Sequence, residues 1–257
     1  MNYTPQKNSK KYYLKVREDG TIYVWNMNYP TIITKDTIDK AYRDWYTSSK
    51  GNVKKYDRNY YNNKLKEGAG KPGSDCSGMH YGLSGYDKTA QGYYNEEPED
   101  KKGTFDTLPL HDLVLVYKGQ SASSITHTGV YLGNGMVIHM KNSNENCVYE
   151  PVDKHGWKYW SYAKFIDYSK KLGAKPILTR IIKMGSKGVD VKLAQEQLNK
   201  KKFDCGIVDG DFGNKTKKAV EKFQAANDLT VDGIIGEATC KALGMKWKPN
   251  YANYKKK

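Results

Sequence analysis

The segment from Thr128 to Met140 constrains this chain most. Two β-prone, largely apolar runs, Thr128–Leu132 and Met136–Met140, flank Gly133-Asn134-Gly135, and that pattern specifies a tight antiparallel hairpin. Just upstream, Leu113–Tyr117 is a continuous apolar run, which reads as a strand buried on both faces. Register then becomes a chemical question, because side chains alternate between the faces of a strand. A two-residue Asn134-Gly135 turn pairs His139 with Val130 and points it away from His127. A three-residue Gly133-Asn134-Gly135 connection pairs His139 with Gly129 and sets both histidines on one face.

Tyr13–Val16 and Thr21–Trp25 are β-prone runs on either side of Asp19-Gly20, a strong turn dipeptide, and read as a first hairpin. Between Thr37 and Tyr46, Ile38, Ala41, Tyr42 and Trp45 recur at helical spacing, with Asp36 or Thr37 available as cap. Residues 47–74 are polar and rich in Gly, Lys, Asn and Tyr, and read as loop with short helical turns. A second helix is expected to start at Ser74-Asp75-Cys76-Ser77, where capping side chains are plentiful. Helices followed by an antiparallel sheet make an α+β pattern.

Tyr168–Pro176 is polar and contains Gly and Pro, which marks a domain boundary. The expected division is a first domain over 1–170, a linker at 171–176, a second domain over 177–245 and a basic tail over 246–257. The second domain holds an internal repeat: V-D-G-x-x-G-x-x-T begins at Val208 and again at Val231, 23 residues later. Each copy reads as an Asp-Gly turn leading into a helix. Ala219, Val220, Phe223 and Ala226 form one apolar face, and Val191, Ala194 and Leu198 another, so three short helices sharing a core are expected. The Asp residues lack the alternating spacing of an EF-hand loop.

The net charge is +15, yet of the 43 Lys and Arg residues only Arg17, Arg43, Arg58 and Arg180 are arginine. Such a field attracts polyanions. Nucleic-acid readers favour Arg forks and recognisable reading motifs, and neither is present, so nucleic acid is not an expected partner. Anionic wall polymers are the other candidate. No apolar run is long enough to span a membrane, so no membrane insertion is expected. The first twenty residues lack the apolar core of a secretory signal.

The four cysteines, 76, 147, 205 and 240, form neither a disulfide framework nor a zinc signature. Cys76 differs from the rest in standing where a helix should begin, where unpaired N–H groups and the helix dipole would favour thiolate. A nucleophilic thiol needs a base, and the base an orienting partner. His127 and His139 can supply both if the three-residue loop holds. His80, one turn beyond Cys76, is a rival base, and Asn142 an alternative orienting group. A zinc site at Cys76, His80 and His127 lacks a closing ligand, so neither metal nor other cofactor is expected. His111 and His155 read as surface or loop residues, Trp157 and Trp160 as core, and Cys205 and Cys240 as unpaired thiols.

Three stretches, D-C-S-G (75–78), L-P-L-H-D-L-V (108–114) and H-T-G-V-Y-L-G-N-G-M-V-I-H (127–139), resemble the NlpC/P60 family of papain-like cell-wall peptidases. The resemblance covers roughly residues 50–168. It implies N-terminal helices packed on an antiparallel sheet, Cys76 as nucleophile, His127 as base and His139 as its orienting partner. It also implies that Asp75 and Ser77 bind the amino end of a stem peptide. The family's Y-x-W-G-G before D-C-S-G is missing, which leaves its substrate-binding Tyr unassigned, with Tyr60 and Tyr61 as candidates. V-x-x-A-Q-x-x-L (191–198), A-V-x-x-F-Q (219–224) and the two repeats resemble the PG-binding-1 family of three-helix peptidoglycan-binding domains. Together these imply a peptidoglycan hydrolase cutting the D-γ-glutamyl–diamino acid bond. An N-acetylmuramoyl-L-alanine amidase with the same Cys-His machinery and a non-catalytic wall-binding protein are the alternatives. The expected setting is a phage endolysin made without a signal peptide and acting at the wall after release, with residues 1–50 roofing its cleft.

Overall fold

The computed structural model describes residues 3–48, 56–154 and 156–249. The expected tail lies outside the described residues from 250 onward, as does His155.

The N-terminal hairpin gives way to a helix. After β1 (Thr4–Pro5), helix α1 runs from Gln6 to Glu18, so Tyr13–Val16 is helical. Tyr and Val favour strands locally, but the buried residues Gln6, Ser9, Tyr13 and Val16 fall on one helical face. The Asp19-Gly20 turn does form, and closes the helix through the Asp19 N–H to Lys15 O. It leads into β2 (Ile22–Tyr23). Helix α2 (Lys35–Ser48) contains the expected stretch but starts earlier. Thr34 is its capping residue, in place of Asp36 or Thr37, and its Oγ1 accepts the Thr37 N–H at 3.2 Å.

Helix α3 (Arg58–Gly68) overturns the loop expected there. Its cap is Asp57, which accepts the Tyr60 N–H, and Tyr61, Lys64 and Gly68 form its buried face. Residues 49–55 of that expected loop lie outside the described residues. β3 (Gly73–Ser74) pairs in parallel with β2. Ile22, Val24, Ile33, Ile38, Ala41 and Tyr61 then share a small core with the rings of Trp45, Tyr56 and Tyr60.

Downstream of Cys76 the expected helix shrinks to a 3-10 turn (Gly78–His80) followed by α4 (Tyr81–Ser84); α5 (Ala90–Asn95) comes next. The main sheet has six strands: β4 (Lys102–Thr104), β5 (Leu113–Gly119), β6 (Ile125–Leu132), β7 (Met136–Asn142), β8 (Asn146–Pro151) and β9 (Tyr159–Ser161). Their order is β4-β9-β5-β6-β7-β8, antiparallel throughout. β10 (Ile166–Asp167) pairs with β1 and ties the chain's start to the end of this part.

Alternation along the strands feeds two cores. Leu113, Leu115, Tyr117, Val130, Leu132, Ile138 and Met140 pack toward α1 and the Cys76 segment. Val114, Val116, Tyr131 and Val137 face the other way, into a core shared with Trp157, Trp160 and the C-terminal helices. The continuous apolar run is thus buried on both sides, as its composition requires.

In the C-terminal part, β11 (Ile177–Leu178) pairs with β12 (Lys246–Trp247) around helices α6 (Val189–Lys200), α7 (Asn214–Ala225) and α8 (Glu237–Ala242). The repeat has a physical explanation in two buried glutamines. Gln195 Nε2 donates to Asp209 Oδ1, Asp211 O and Thr216 Oγ1, while its Oε1 accepts the Gly210 N–H. Gln224 does the same with Asp232, Ile234 O, Thr239 and the Gly233 N–H. Each V-D-G-x-x-G-x-x-T copy is therefore a mould for one amide. Of the expected apolar faces, Ala226 departs: it lies just past α7 and is exposed. Cys205 and Cys240 are buried free thiols. No helix among the described residues is long and apolar enough to cross a membrane.

Candidate active site

The β6–β7 register pairs Val130 with Ile138 and Tyr131 with Val137, which sets His139 opposite Gly129. This is the three-residue connection, and the two imidazoles meet: His127 Nε2 stands 2.8 Å from His139 Nδ1. His139 is fully buried, and its Nε2 lies 2.9 Å from Oε1 of Glu150, also fully buried. Lys141 Nζ is 3.9 Å from the other Glu150 oxygen. The order of the chain is thus His127, His139, Glu150, running inward from a half-buried ring.

Gly129 makes this packing possible. A Cβ there would stand 2.8 Å from the Trp157 ring and 2.9 Å from His139 Cβ, closer than carbon atoms approach. Trp157 fills the space instead, stacked on His127 at 5.7 Å between centroids and edge-on to His139 at 5.2 Å. Trp157 is 4% exposed, a core residue at the back of the histidine pair.

Cys76 comes from the turn before the 3-10 segment. Asp75 organises that turn: Oδ1 accepts the N–H groups of Ser77 (2.9 Å) and Gly78 (2.7 Å) and the Ser77 hydroxyl (3.0 Å), and Oδ2 accepts the Asn26 N–H (3.0 Å). Burial raises the Asp75 carboxyl, and these donors pull against it. The Gly of D-C-S-G is dictated by contact, since a Cβ at 78 would lie 2.1 Å from the Met27 carbonyl oxygen.

The thiolate expectation is overturned. Burial pushes the Cys76 thiol up to about 12, with the Asp75 charge adding to it. The N–H groups of Thr128, Ser77 and Cys76 oppose this without prevailing. Burial is the larger cause, and the turn adds to it because the Ser77 and Gly78 N–H groups also serve the Asp75 carboxylate. The influence of the Thr128 N–H also sets the thiol against β6, at the residue after His127.

Asp75, Cys76 and Ser77 line a cleft of about 590 Å³ with Ile125 and Thr126 of β6. Asp87, Lys88, Thr89 and Ala90 form another part of its lining, and Trp25, Asn26, Asn28, Trp45 and Ser48 come from the N-terminal fifty residues. Trp25 lies flat on Tyr56 at 4.6 Å and meets Trp45 edge-on at 5.5 Å.

Several expected participants stand elsewhere. His80 is fully buried under the Cys76 turn, with Nδ1 2.9 Å from Tyr13 Oη and Nε2 3.3 Å from Thr128 Oγ1. Burial drives it down to about 3, so it is a neutral structural ring. Asn142 accepts from the Asn144 and Glu145 N–H groups and closes the β7–β8 turn, away from the orienting position. Tyr60 and Tyr61 bond the backbone of Trp25, behind the cleft lining. His111 pairs with Glu196 at 2.6 Å, which raises its pKa.

Glu150 was missed in the sequence, although a signal existed. The β7–β8 register sets His139 opposite Val148 and Val137 opposite Glu150, so the acid occupies an inward position beside His139. An acid at such a position needs a partner.

Fold and site together define an α+β part, with a cleft lined by Cys76 and a hydrogen-bonded histidine pair on β6 and β7, joined to a three-helix module. Residues 62–165 match the NlpC/P60 family, and residues 187–243 match the PG-binding-1 family of peptidoglycan binding domains, in the order expected. The type VI secretion system spike protein VgrG3 of Vibrio cholerae is 42% identical over 74 residues, covering 24% of this chain and 7% of that protein. N-acetylmuramoyl-L-alanine amidase CwlL of Bacillus licheniformis is 40% identical over 81 residues, 30% of this chain and 22% of that protein. Among solved structures, the SleB N-terminal domain is 37% identical, covers 26% of this chain and 93% of its own, and has a TM-score of 0.26. The matches thus span less than a quarter of either curated relative. Residues 1–61, which supply the two cleft tryptophans, lie ahead of the NlpC/P60 match.

Proposed function

We propose that this chain is a peptidoglycan hydrolase that cuts an amide bond in the stem peptide, with Cys76 as nucleophile. The observation that carries the reading is the hydrogen-bonded series His127–His139–Glu150, whose first member follows directly on Ile125 and Thr126 of the Cys76 cleft lining. An ionised Glu150 accepts the Nε2–H of His139. That leaves His139 Nδ1 as acceptor for the Nε2–H of His127, and keeps His127 Nδ1 unprotonated. A base with a free lone pair is what this thiol requires, since burial keeps it protonated at rest.

In the reaction His127 takes the Cys76 proton as sulfur attacks the carbonyl, then gives it to the leaving amine; water releases the acyl group in a second step. The Cys76 N–H is a candidate donor to the oxyanion. Asp75 and Ser77 are the groups for the amino end of the stem peptide. An ammonium docked on Asp75 would offset the carboxylate charge that helps hold the thiol up. The family resemblance favours the D-γ-glutamyl–diamino acid bond. The likeness to the amidase CwlL sustains a second reading, cleavage between muramic acid and L-alanine.

Purified walls and the Cys76→Ser variant test the reading. Loss of wall clearing with an unchanged melting temperature is expected; clearing at the parent rate sinks it. Mass spectra of the soluble fragments then separate the two bonds, because an endopeptidase frees a diamino-acid amine and an amidase frees an L-alanine amine.

A further inference from the structure

A second concave site lies at the junction between the two parts of the chain, in a cavity of about 710 Å³. Lys7 and Lys10 reach it from α1, Lys171 and Lys175 from the connecting segment, and Lys246 from β12. Leu172, Gly173, Ala174 and Asn134 complete the lining, and no carboxylate lines it among the described residues. Lys10 is the innermost, with Nζ 3.0 Å from Leu132 O. Burial, and then the charge of Lys246, bring it down to about 8.

Five ammonium groups around one hollow repel one another, and nothing in its lining offsets the charge. Elsewhere the lysines commonly face acids, as Lys15 faces Asp19 and Lys187 faces Asp211. A multivalent anion seated in the hollow would relieve that repulsion at several points at once. The lining has neither an aromatic ring for base stacking nor an Arg for a bidentate fork. Point-charge donors without those features suit phosphodiesters spaced by uncharged polyol.

The geometry points to a binding groove for the phosphodiester polymer of the bacterial wall, formed by Lys7, Lys10, Lys171, Lys175 and Lys246 at the junction of the two parts. The choice of polymer rests on the wall-hydrolase reading; the groove itself does not. It gives the chain a second hold on the wall, independent of the peptidoglycan-binding helices.

Binding is measured with the full chain carrying Cys76→Ala, so that turnover does not enter. The variant adds Lys7→Gln, Lys175→Gln and Lys246→Gln, all at exposed positions. Co-sedimentation is compared on walls that retain their phosphodiester polymer and on the same walls stripped of it. At low salt we expect roughly tenfold weaker binding, or more, to the polymer-bearing walls and unchanged binding to the stripped ones. Equal losses on both walls, or no loss on either, overturn the proposal, as does a loss confined to duplex DNA in a parallel titration. A parent chain that binds neither wall sinks the wall reading itself. Titration with soluble polyphosphate then still decides the groove: a tenfold loss in the variant supports it, and an unchanged affinity refutes it.

Discussion

Gly129→Ala tests whether the space beneath the histidine pair is what the site depends on. The added carbon would meet the Trp157 ring at 2.8 Å, His139 Cβ at 2.9 Å and Ile138 O at 3.2 Å. Ordinary carbon contacts begin at about 3.5 Å, so the first two fall short by roughly 0.6–0.7 Å. The backbone has little freedom to retreat. Gly129 pairs with Val116 on one side, and its neighbour Val130 pairs with Ile138 on the other. The displacement therefore falls on Trp157 or on His139, both buried and both in contact with His127. Overpacking of this kind costs about 1–3 kcal/mol. For a chain of this size that lowers the melting temperature by roughly 2–12 °C. A shift approaching 1 Å at a reacting group lowers the rate by up to about a hundredfold. Wall clearing and thermal melting of the same preparation read both effects. An alanine variant that clears walls at the parent rate and melts at the parent temperature would refute the reasoning.

Glu150→Gln replaces a charge-assisted bond to His139 with a neutral one, worth about 1–1.5 kcal/mol less, so roughly tenfold slower clearing is expected with an unchanged KM for wall fragments. An equal fall in Glu150→Gln and Glu150→Asp, with melting lowered in both, would assign Glu150 to folding alone. Gln195→Ala strips partners from the Gly210 N–H, Asp209 and Thr216 at one stroke, and should lower stability in urea by on the order of 3 kcal/mol and weaken wall co-sedimentation; a loss under 1 kcal/mol would show that the repeat does not depend on the amide. His80, held down to about 3 in the fold against an ordinary value near 6.5, is protonated first in the unfolded chain. Its contribution is complete above pH 6.5 and fades as pH falls toward 3, so melting should drop through that window, and His80→Phe should flatten the slope. A parallel slope in the variant would assign the acid sensitivity to other groups.

What could be read from the sequence follows the length scale of each signal. The β6–β7 hairpin was legible because its loop length and its apolar runs act over thirteen residues, and its parity alone decides whether His127 and His139 meet. α1 was not legible because its buried face is partly polar. Gln6 there donates to Lys170 O and accepts the Leu113 N–H, satisfying backbone groups more than a hundred residues away. α3 hid for the same reason, with Lys64 inside it bonded to Ser143 O. The thiolate error had a different origin: the helix expected from Ser74–Ser77 is only a 3-10 turn from Gly78, and the carboxylate on its first N–H groups is the very Asp75 that suggested a helix start.

The buried strand β5 carries the last step. Its run of five apolar residues demanded cover on both faces, and the N-terminal helices supply only one. The other cover is shared between Trp157 and Trp160 and the three-helix part, whose Leu193, Leu198 and Val189 belong to the same core as Val114, Val116, Tyr131 and Val137. The join is polar as well as apolar. Asp153 accepts the Val189 N–H at the start of α6, His111 meets Glu196, and Lys192 Nζ donates to Asp106 O. The segment at 171–176 thus connects two parts that share one core. Cutting the chain there would uncover part of the apolar core that Val114, Val116, Tyr131 and Val137 share with the C-terminal helices, a face that water does not tolerate. Residues 3–170 alone should therefore aggregate or melt well below the full chain, whereas a soluble fragment with parent stability would mean that the shared core contributes little.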